Sequence, residues 1–237
     1  MKRTTYHVPR ITQIILALDV NNHREAMRWV KLFYPQVQIF KVGLQLYTAC
    51  GPKIIQDIRK VGAEVFLDLK FNDIPNTMAK AAQEALKHKV SMFTVHTLSG
   101  PAALKEVAKV CQGSKTKVLA VTILTSLCAH FLKDLKMQRS LPAEVLYLAK
   151  MAKRCGLAGA VCSVKEAKIL RREMGRNFLL VTPGIRLANA SADDQSRVAT
   201  AREAMQAGAN YIVVGRPILK ASDPLTVVKN IIAECRE

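Results

Sequence analysis

Residues 64–87 read EVFLDLKFNDIPNTMAKAAQEALK, a short apolar run that closes on charged residues and gives way, from Pro75, to a longer segment of helical period. A buried parallel sheet is made of such units, because its strands are covered on both faces and its crossovers are helices. Working outward from this stretch, the unit recurs. Apolar, β-rich runs stand at Ile14–Asp19, Val37–Val42, Glu64–Lys70, Met92–Val95, Val118–Ile123, Gly159–Cys162, Phe178–Thr182 and Tyr211–Val214. Helical segments follow at Asn22–Phe33, Pro52–Val61, Pro75–Lys87, Pro101–Cys111, Pro142–Cys155, Val164–Met174, Thr200–Ala207 and Asp223–Cys235. Eight βα units are the arithmetic of a closed (β/α)8 TIM barrel, which takes about 250 residues. A doubly wound open sheet satisfies the same alternation, since periodicity does not show closure.

No linker rich in Pro, Gly or Ser divides the 237 residues, so residues 1–237 read as a single α/β domain with 1–10 as an N-terminal extension. The longest stretches free of Asp, Glu, Lys and Arg, Val90–Leu104 and Val118–Leu132, are 15 residues each and contain His. Neither reaches the roughly 18 apolar residues of a spanning helix, and the first ten residues lack the apolar core of a secretory signal. A soluble, cytoplasmic protein is expected. The six cysteines form no C-x-x-C pair and read as buried free thiols rather than as metal ligands.

With 36 Lys+Arg against 18 Asp+Glu, the formal charge is +18, which draws anions. Nucleic acid, a membrane face and a phosphorylated small molecule all fit that sign. The basic residues, however, are scattered through helical segments such as Lys105–Lys109 and Lys165–Arg172, with no arginine-rich tail and few aromatic side chains. That speaks against a dedicated nucleic-acid module.

In a βα barrel the chemistry sits at the carboxyl ends of the strands. The first strand closes IILAL with Asp19, the second closes VQIF with Lys41, the third carries Asp68 and Lys70 followed by Asp73, and the fourth closes FTV with His96. Asp68 and Lys70, two apart on a strand, share a face. Any one of these alone is an ordinary solvated loop residue. Charge at three consecutive strand ends, two Lys among three Asp, is the pattern of mutually paired groups in a barrel mouth.

The stretch DLKFNDIPNT, with Asp68, Lys70, Asp73, Ile74, Pro75, Asn76 and Thr77, resembles the D-x-K-x-x-D-I-P-N-T signature of the orotidine 5'-phosphate decarboxylase family. Supporting matches run in order from about Ile11 to Cys235: LALD with Asp19, FKVG with Lys41, ILTS with Thr125, VTPGIR with Arg186, Gln195 nine residues later, and VVGRPI with Gly215 and Arg216. A bare D-x-K-x-x-D recurs in other barrel enzymes. The I-P-N-T continuation and the ordered companions carry the resemblance.

What the resemblance implies can be placed position by position. Asp19 contacts the ribose; Lys41 neighbours a charged chain through Asp68, Lys70 and Asp73. Asp73, with Ile74 and Thr77, reaches into the partner subunit's site, so a homodimer with shared active sites is implied. Thr125 meets the pyrimidine edge, and Arg186, Gln195, Gly215 and Arg216 hold the phosphate beneath a lid at Leu187–Ser196. The reaction is loss of CO2 from orotidine 5'-phosphate (OMP) to give uridine 5'-phosphate (UMP). The carbanion left at C6 lies in the ring plane and cannot delocalise into the carbonyls, so an ammonium already aimed there stabilises it and then protonates it. Lys70 is that group, kept charged by its carboxylate neighbours. No metal or organic cofactor is required.

Two departures stand out: the lid LANASADDQS has no glycine, and His96 is followed by Thr97, Leu98, Ser99 and Gly100 rather than by a small residue and paired glycines. His96 is therefore read as a structural histidine of the barrel rim. The alternative within the same barrel type is a sugar-phosphate decarboxylase or aldolase, such as the Mg2+-dependent 3-keto-gulonate-phosphate decarboxylases.

Overall fold

The computed structural model describes residues 13–186 and 199–235; the extension at 1–10 and the lid at 187–196 with Gln195 lie outside the described residues. Eight parallel strands close on themselves in chain order: β1 (Gln13–Ala17), β2 (Ile39–Gly43), β3 (Glu64–Phe71), β4 (Met92–His96), β5 (Lys117–Val121), β6 (Gly159–Val161), β7 (Leu179–Thr182) and β8 (Tyr211–Val214). Closure is made by β1 and β8, with Ile15 opposite Val213 and Leu16 opposite Val214. The open-sheet alternative is thereby excluded. In the described residues the helices are α1 (His23–Phe33), α2 (Leu44–Cys50), α3 (Lys53–Lys60), α4 (Pro75–Lys87), α5 (Gly100–Cys111), α6 (Ala129–Asp134), α7 (Leu141–Arg154), α8 (Val164–Met174), α9 (Ala201–Gln206), α10 (Arg216–Leu219) and α11 (Pro224–Glu234).

Strand side chains alternate between two cores. Ile15, Ala17, Ile39, Phe66, Met92, Leu119, Val181 and Val213 fill the barrel interior, whereas Leu16, Phe40, Leu67, Phe93 and Ala120 face outward onto the helices. This is the packed, layered interior of a barrel rather than a pore. The cavity lined by the strands' charged carboxyl-end residues lies above this packed layer, at the carboxyl mouth.

The structure corrects several boundaries at that mouth. The first strand ends at Ala17, two residues before Asp19, and the fifth at Val121 rather than Ile123. Four short elements fall where the sequence reads as loop: α2, α6, α10 and a 3-10 turn at Thr97–Ser99. Each is about two turns or less, too short for a helical period to register in the sequence. Where helices were expected, capping chemistry sets their starts: Ser163 and Glu166 form a capping box on α8, and Thr200 and Glu203 another on α9.

Cys111, Cys155, Cys162 and Cys235 are buried free thiols as expected; Cys50 is half-buried and Cys128 is exposed on the loop after β5. Burial pushes the thiols of Cys111 and, with a smaller push from the Glu234 carboxylate, Cys235 up to about 11, out of reach of thiolate chemistry at neutral pH.

At the opposite end of the barrel, Arg171 of α8 ties two loops together. Its guanidinium donates to the carbonyls of Gly208 at 2.8 and 3.0 Å, Gly175 at 2.7 Å and Phe178 at 2.9 Å, and to Asn210 Oδ1 at 2.6 Å. Arg171→Ala strands these acceptors, so a loss of about 3 kcal/mol in urea unfolding is expected, with the active-site end unaffected.

Candidate active site

The first three strands deliver four charges to one place. Lys41 Nζ lies 3.0 Å from Asp19 Oδ1 and 3.9 Å from Asp68 Oδ2, and Lys70 Nζ lies 3.0 Å from the same Asp68 oxygen. The order is acid, amine, acid, amine, so each inner charge is flanked by opposite ones. Alternation matters because the Lys41 and Asp68 side chains retain only 12% and 15% of their exposure, and a charge that far from water is costly unless it is paired. Space for Lys41 comes from Gly43, where an added Cβ would sit 2.8 Å from the ammonium nitrogen.

Lys70 is held by an irregularity. From Leu67 to Phe71, β3 advances four residues while β4 advances two, from Phe93 to Val95. Within this bulge Lys70 adopts φ 54°, a left-handed conformation in which a lysine is uncommon. Thr94, fully buried on β4 opposite the bulge, accepts a hydrogen bond from the Lys70 backbone N–H at 2.9 Å and lies 2.9 Å from Asp68 Oδ1. The two-residue spacing does bring Asp68 and Lys70 together, but across a distorted strand rather than a regular one.

The array opens into a cavity of about 230 Å3 whose lining includes Asp19, Lys41, Asp68, Lys70, Thr125, Arg186, Gly215 and Arg216. Across it from the amines, Arg186 Nη1 donates to the Ile185 carbonyl at 3.1 Å, while Nη2 is buried with no hydrogen-bond partner among the described residues. A buried guanidinium nitrogen without an acceptor is a donor waiting for an anion. The Arg186 backbone N–H donates to the Ala199 carbonyl at 2.9 Å and that of Ala199 to the Gly184 carbonyl at 3.2 Å, so this corner is pinned; Gly184 makes the turn at φ 82°. Just after the neighbouring strand β8, Gly215 precedes α10, and a Cβ there would press on Ala17 and Asp19 at 3.2 and 3.3 Å.

Asp73, Ile74 and Thr77 do not join this cavity. All three are exposed where α4 begins, and Asp73 Oδ1 takes the Ile74 N–H at 2.7 Å. His96 stands at the end of β4, where its Nδ1 accepts from the Leu98 N–H at 3.3 Å. Burial and, secondarily, the nearby Lys70 ammonium hold His96 below its ordinary range, which keeps the ring neutral near pH 7. Sequence reasoning missed Thr94 and Gly43. The one available signal for Thr94 was a polar residue in the middle of the apolar run MFTV.

Paired acids and amines facing an arginine corner at the carboxyl mouth of an eight-stranded parallel barrel define a (β/α)8-barrel enzyme built around an anionic ligand. More particularly, the chain belongs to the Orotidine 5'-phosphate decarboxylase / HUMPS family, which it matches over residues 12–231. It is 45% identical over 227 residues to the orotidine 5'-phosphate decarboxylase of Geotalea daltonii, covering 94% of this chain and 95% of that protein. The orotidine 5'-phosphate decarboxylase of Methylacidiphilum infernorum is 45% identical over 220 residues, covering 93% and 96%. Among solved structures, that of orotidine 5'-phosphate decarboxylase from Lactobacillus acidophilus superposes with a TM-score of 0.82 at 34% identity, covering 95% of this chain and 100% of that one.

Proposed function

We propose that the protein decarboxylates OMP to UMP, the carbon–carbon lyase step of pyrimidine biosynthesis, and that it does so without metal or organic cofactor. The observation that carries this reading is the Asp19–Lys41–Asp68–Lys70 array sharing one small cavity with Arg186 and Arg216. A nucleoside monophosphate has the matching parts in the matching order. Its phosphate goes to the arginine corner, its ribose to Asp19 and Lys41, and its pyrimidine to the side of Thr125, with C6 facing Lys70.

As CO2 leaves C6, the electron pair of the broken bond stays in an sp2 orbital of the ring plane. The Lys70 ammonium, already charged and oriented by Asp68, stabilises that pair without reorganising and then delivers its proton to C6, completing UMP. Binding energy from the phosphate, remote from the reacting atom, serves to hold the ring against the array.

The active unit is a homodimer in which Asp73, Ile74 and Thr77 complete the partner's site. Ile74 at 66% exposure, Leu44 at 57% and Leu98 at 53% give the β2, β3 and β4 loops a set of uncovered apolar side chains, as a subunit interface has. Among the described residues no helix is long and apolar enough to cross a membrane. The free thiols of Cys50, Cys111, Cys155, Cys162 and Cys235 suit a reducing compartment, and we place the enzyme in the cytoplasm.

Incubating the purified protein with OMP and excess EDTA tests the reading. Conversion to UMP at an undiminished rate is expected. Turnover of a sugar phosphate that requires Mg2+, with none of OMP, would establish the related sugar-phosphate decarboxylase instead.

A further inference from the structure

We propose that Thr94 is a positioning residue for catalysis: its hydroxyl sets both the main chain that carries Lys70 and the carboxylate that orients the Lys70 ammonium. The inference rests on the decarboxylase reading above. The bulge between Leu67 and Phe71 takes the Lys70 backbone out of the β3–β4 ladder, and an N–H lost from a ladder inside a barrel must find another acceptor. The Thr94 oxygen is that acceptor at 2.9 Å.

The hydrogen-bond directions then follow from chemistry. A backbone N–H can only donate, so Thr94 Oγ1 accepts there, and its own hydrogen is left for Asp68 Oδ1, also at 2.9 Å. With Oδ1 committed to the hydroxyl, Asp68 turns Oδ2 toward both amines, 3.0 Å from Lys70 Nζ and 3.9 Å from Lys41 Nζ. One hydroxyl thus connects the two ends of the same lysine, its backbone nitrogen directly and its ammonium through Asp68.

Geometry also shows why a hydroxyl is required at this place. Thr94 is fully buried on β4, between outward-facing Phe93 and Val95, so bulk water cannot replace its oxygen. A left-handed φ of 54° at a lysine is a strained conformation that persists only when its surroundings impose it. Without the hydroxyl, both the Lys70 N–H and Asp68 Oδ1 lose a partner. Relaxing the bulge moves the ammonium, and a shift of about 1 Å in a catalytic group costs on the order of 100-fold in rate.

Thr94→Val keeps shape and volume but removes donor and acceptor, and Thr94→Ser keeps the hydroxyl. Steady-state kinetics on OMP and direct titration with UMP separate the chemical step from binding. The expected result is a fall in kcat of about 10- to 100-fold for Thr94→Val, with UMP affinity within about threefold of the parent, and recovery to within about fivefold in Thr94→Ser. If Thr94→Val does not fold, Thr94→Ala against Thr94→Ser makes the same comparison of hydroxyl lost and hydroxyl kept. A hydroxyl-free variant with the parent's kcat, or loss of kcat in Thr94→Ser equal to that in the hydroxyl-free variant, overturns the proposal. Failure of the decarboxylase reading is a different outcome, since the unsubstituted protein would then leave OMP unchanged.

Discussion

Replacing Lys70 by alanine is expected to lower kcat for OMP by on the order of 10,000-fold or more while UMP binding changes by no more than about threefold. Two contributions disappear together. An ammonium aimed at a developing anion accounts for about 100- to 1,000-fold, and a positioned proton donor for about 100- to 10,000-fold, so their joint loss is far larger than that of a binding contact. Product affinity should survive because UMP has no negative charge at C6 and, in the proposed pose, its phosphate is held by Arg186 and Arg216, which line the same cavity. The split between kcat and affinity is the informative part. If kcat and UMP affinity fell in parallel, Lys70 would be a ligand contact and the proton would have to come from elsewhere. The substitution also leaves Asp68 with Lys41 at 3.9 Å as its remaining cation, so the variant should still fold.

The second large effect is a gain. Lys70→Ala and Asp73→Ala proteins are each expected to be nearly inactive alone, yet mixing them in equal amounts under conditions of subunit exchange should restore about a quarter of the wild-type activity. Random pairing makes half of the dimers mixed, and in each of these one site carries both lesions while the other carries none. The physical motive is the placement of Asp73. It lies outside its own chain's array, exposed at the start of α4 with its Oδ1 on the Ile74 N–H, although its sequence position is only three residues from Lys70. That placement is what the proposed sharing of sites between subunits requires of Asp73. Exchange demonstrated by mass spectrometry with no recovered activity would remove Asp73 from a shared site.

Much of the site was legible from residue types and order. Charges closing three successive apolar runs identified Asp19, Lys41, Asp68 and Lys70, because a strand's end in a βα barrel is where its side chains meet the mouth. Spacing by two placed Asp68 and Lys70 on one face. Nothing in the sequence singles out Gly43, two residues after Lys41, and only the position of the ammonium shows that a methyl there would meet it at 2.8 Å. Thr94 was missed for a related reason. Its partners Asp68 and Lys70 lie 26 and 24 residues away, and a hydroxyl in an apolar run says nothing about which distant backbone has lost its ladder bond.

The sequence by itself determined the repeating unit, the number of its repeats and the family, since alternation of apolar strands with helical segments and the D-x-K-x-x-D-I-P-N-T run are properties of neighbouring residues. Closure was decided only in three dimensions, where β1 meets β8 at the two ends of the chain. So were the slipped register beside Lys70, the hydroxyl opposite it, and the exclusion of Asp73 from its own chain's array. These depend on how a strand settles when packing, hydrogen-bond satisfaction and charge pairing compete across segments remote in sequence, and a one-dimensional pattern holds no record of which of them wins.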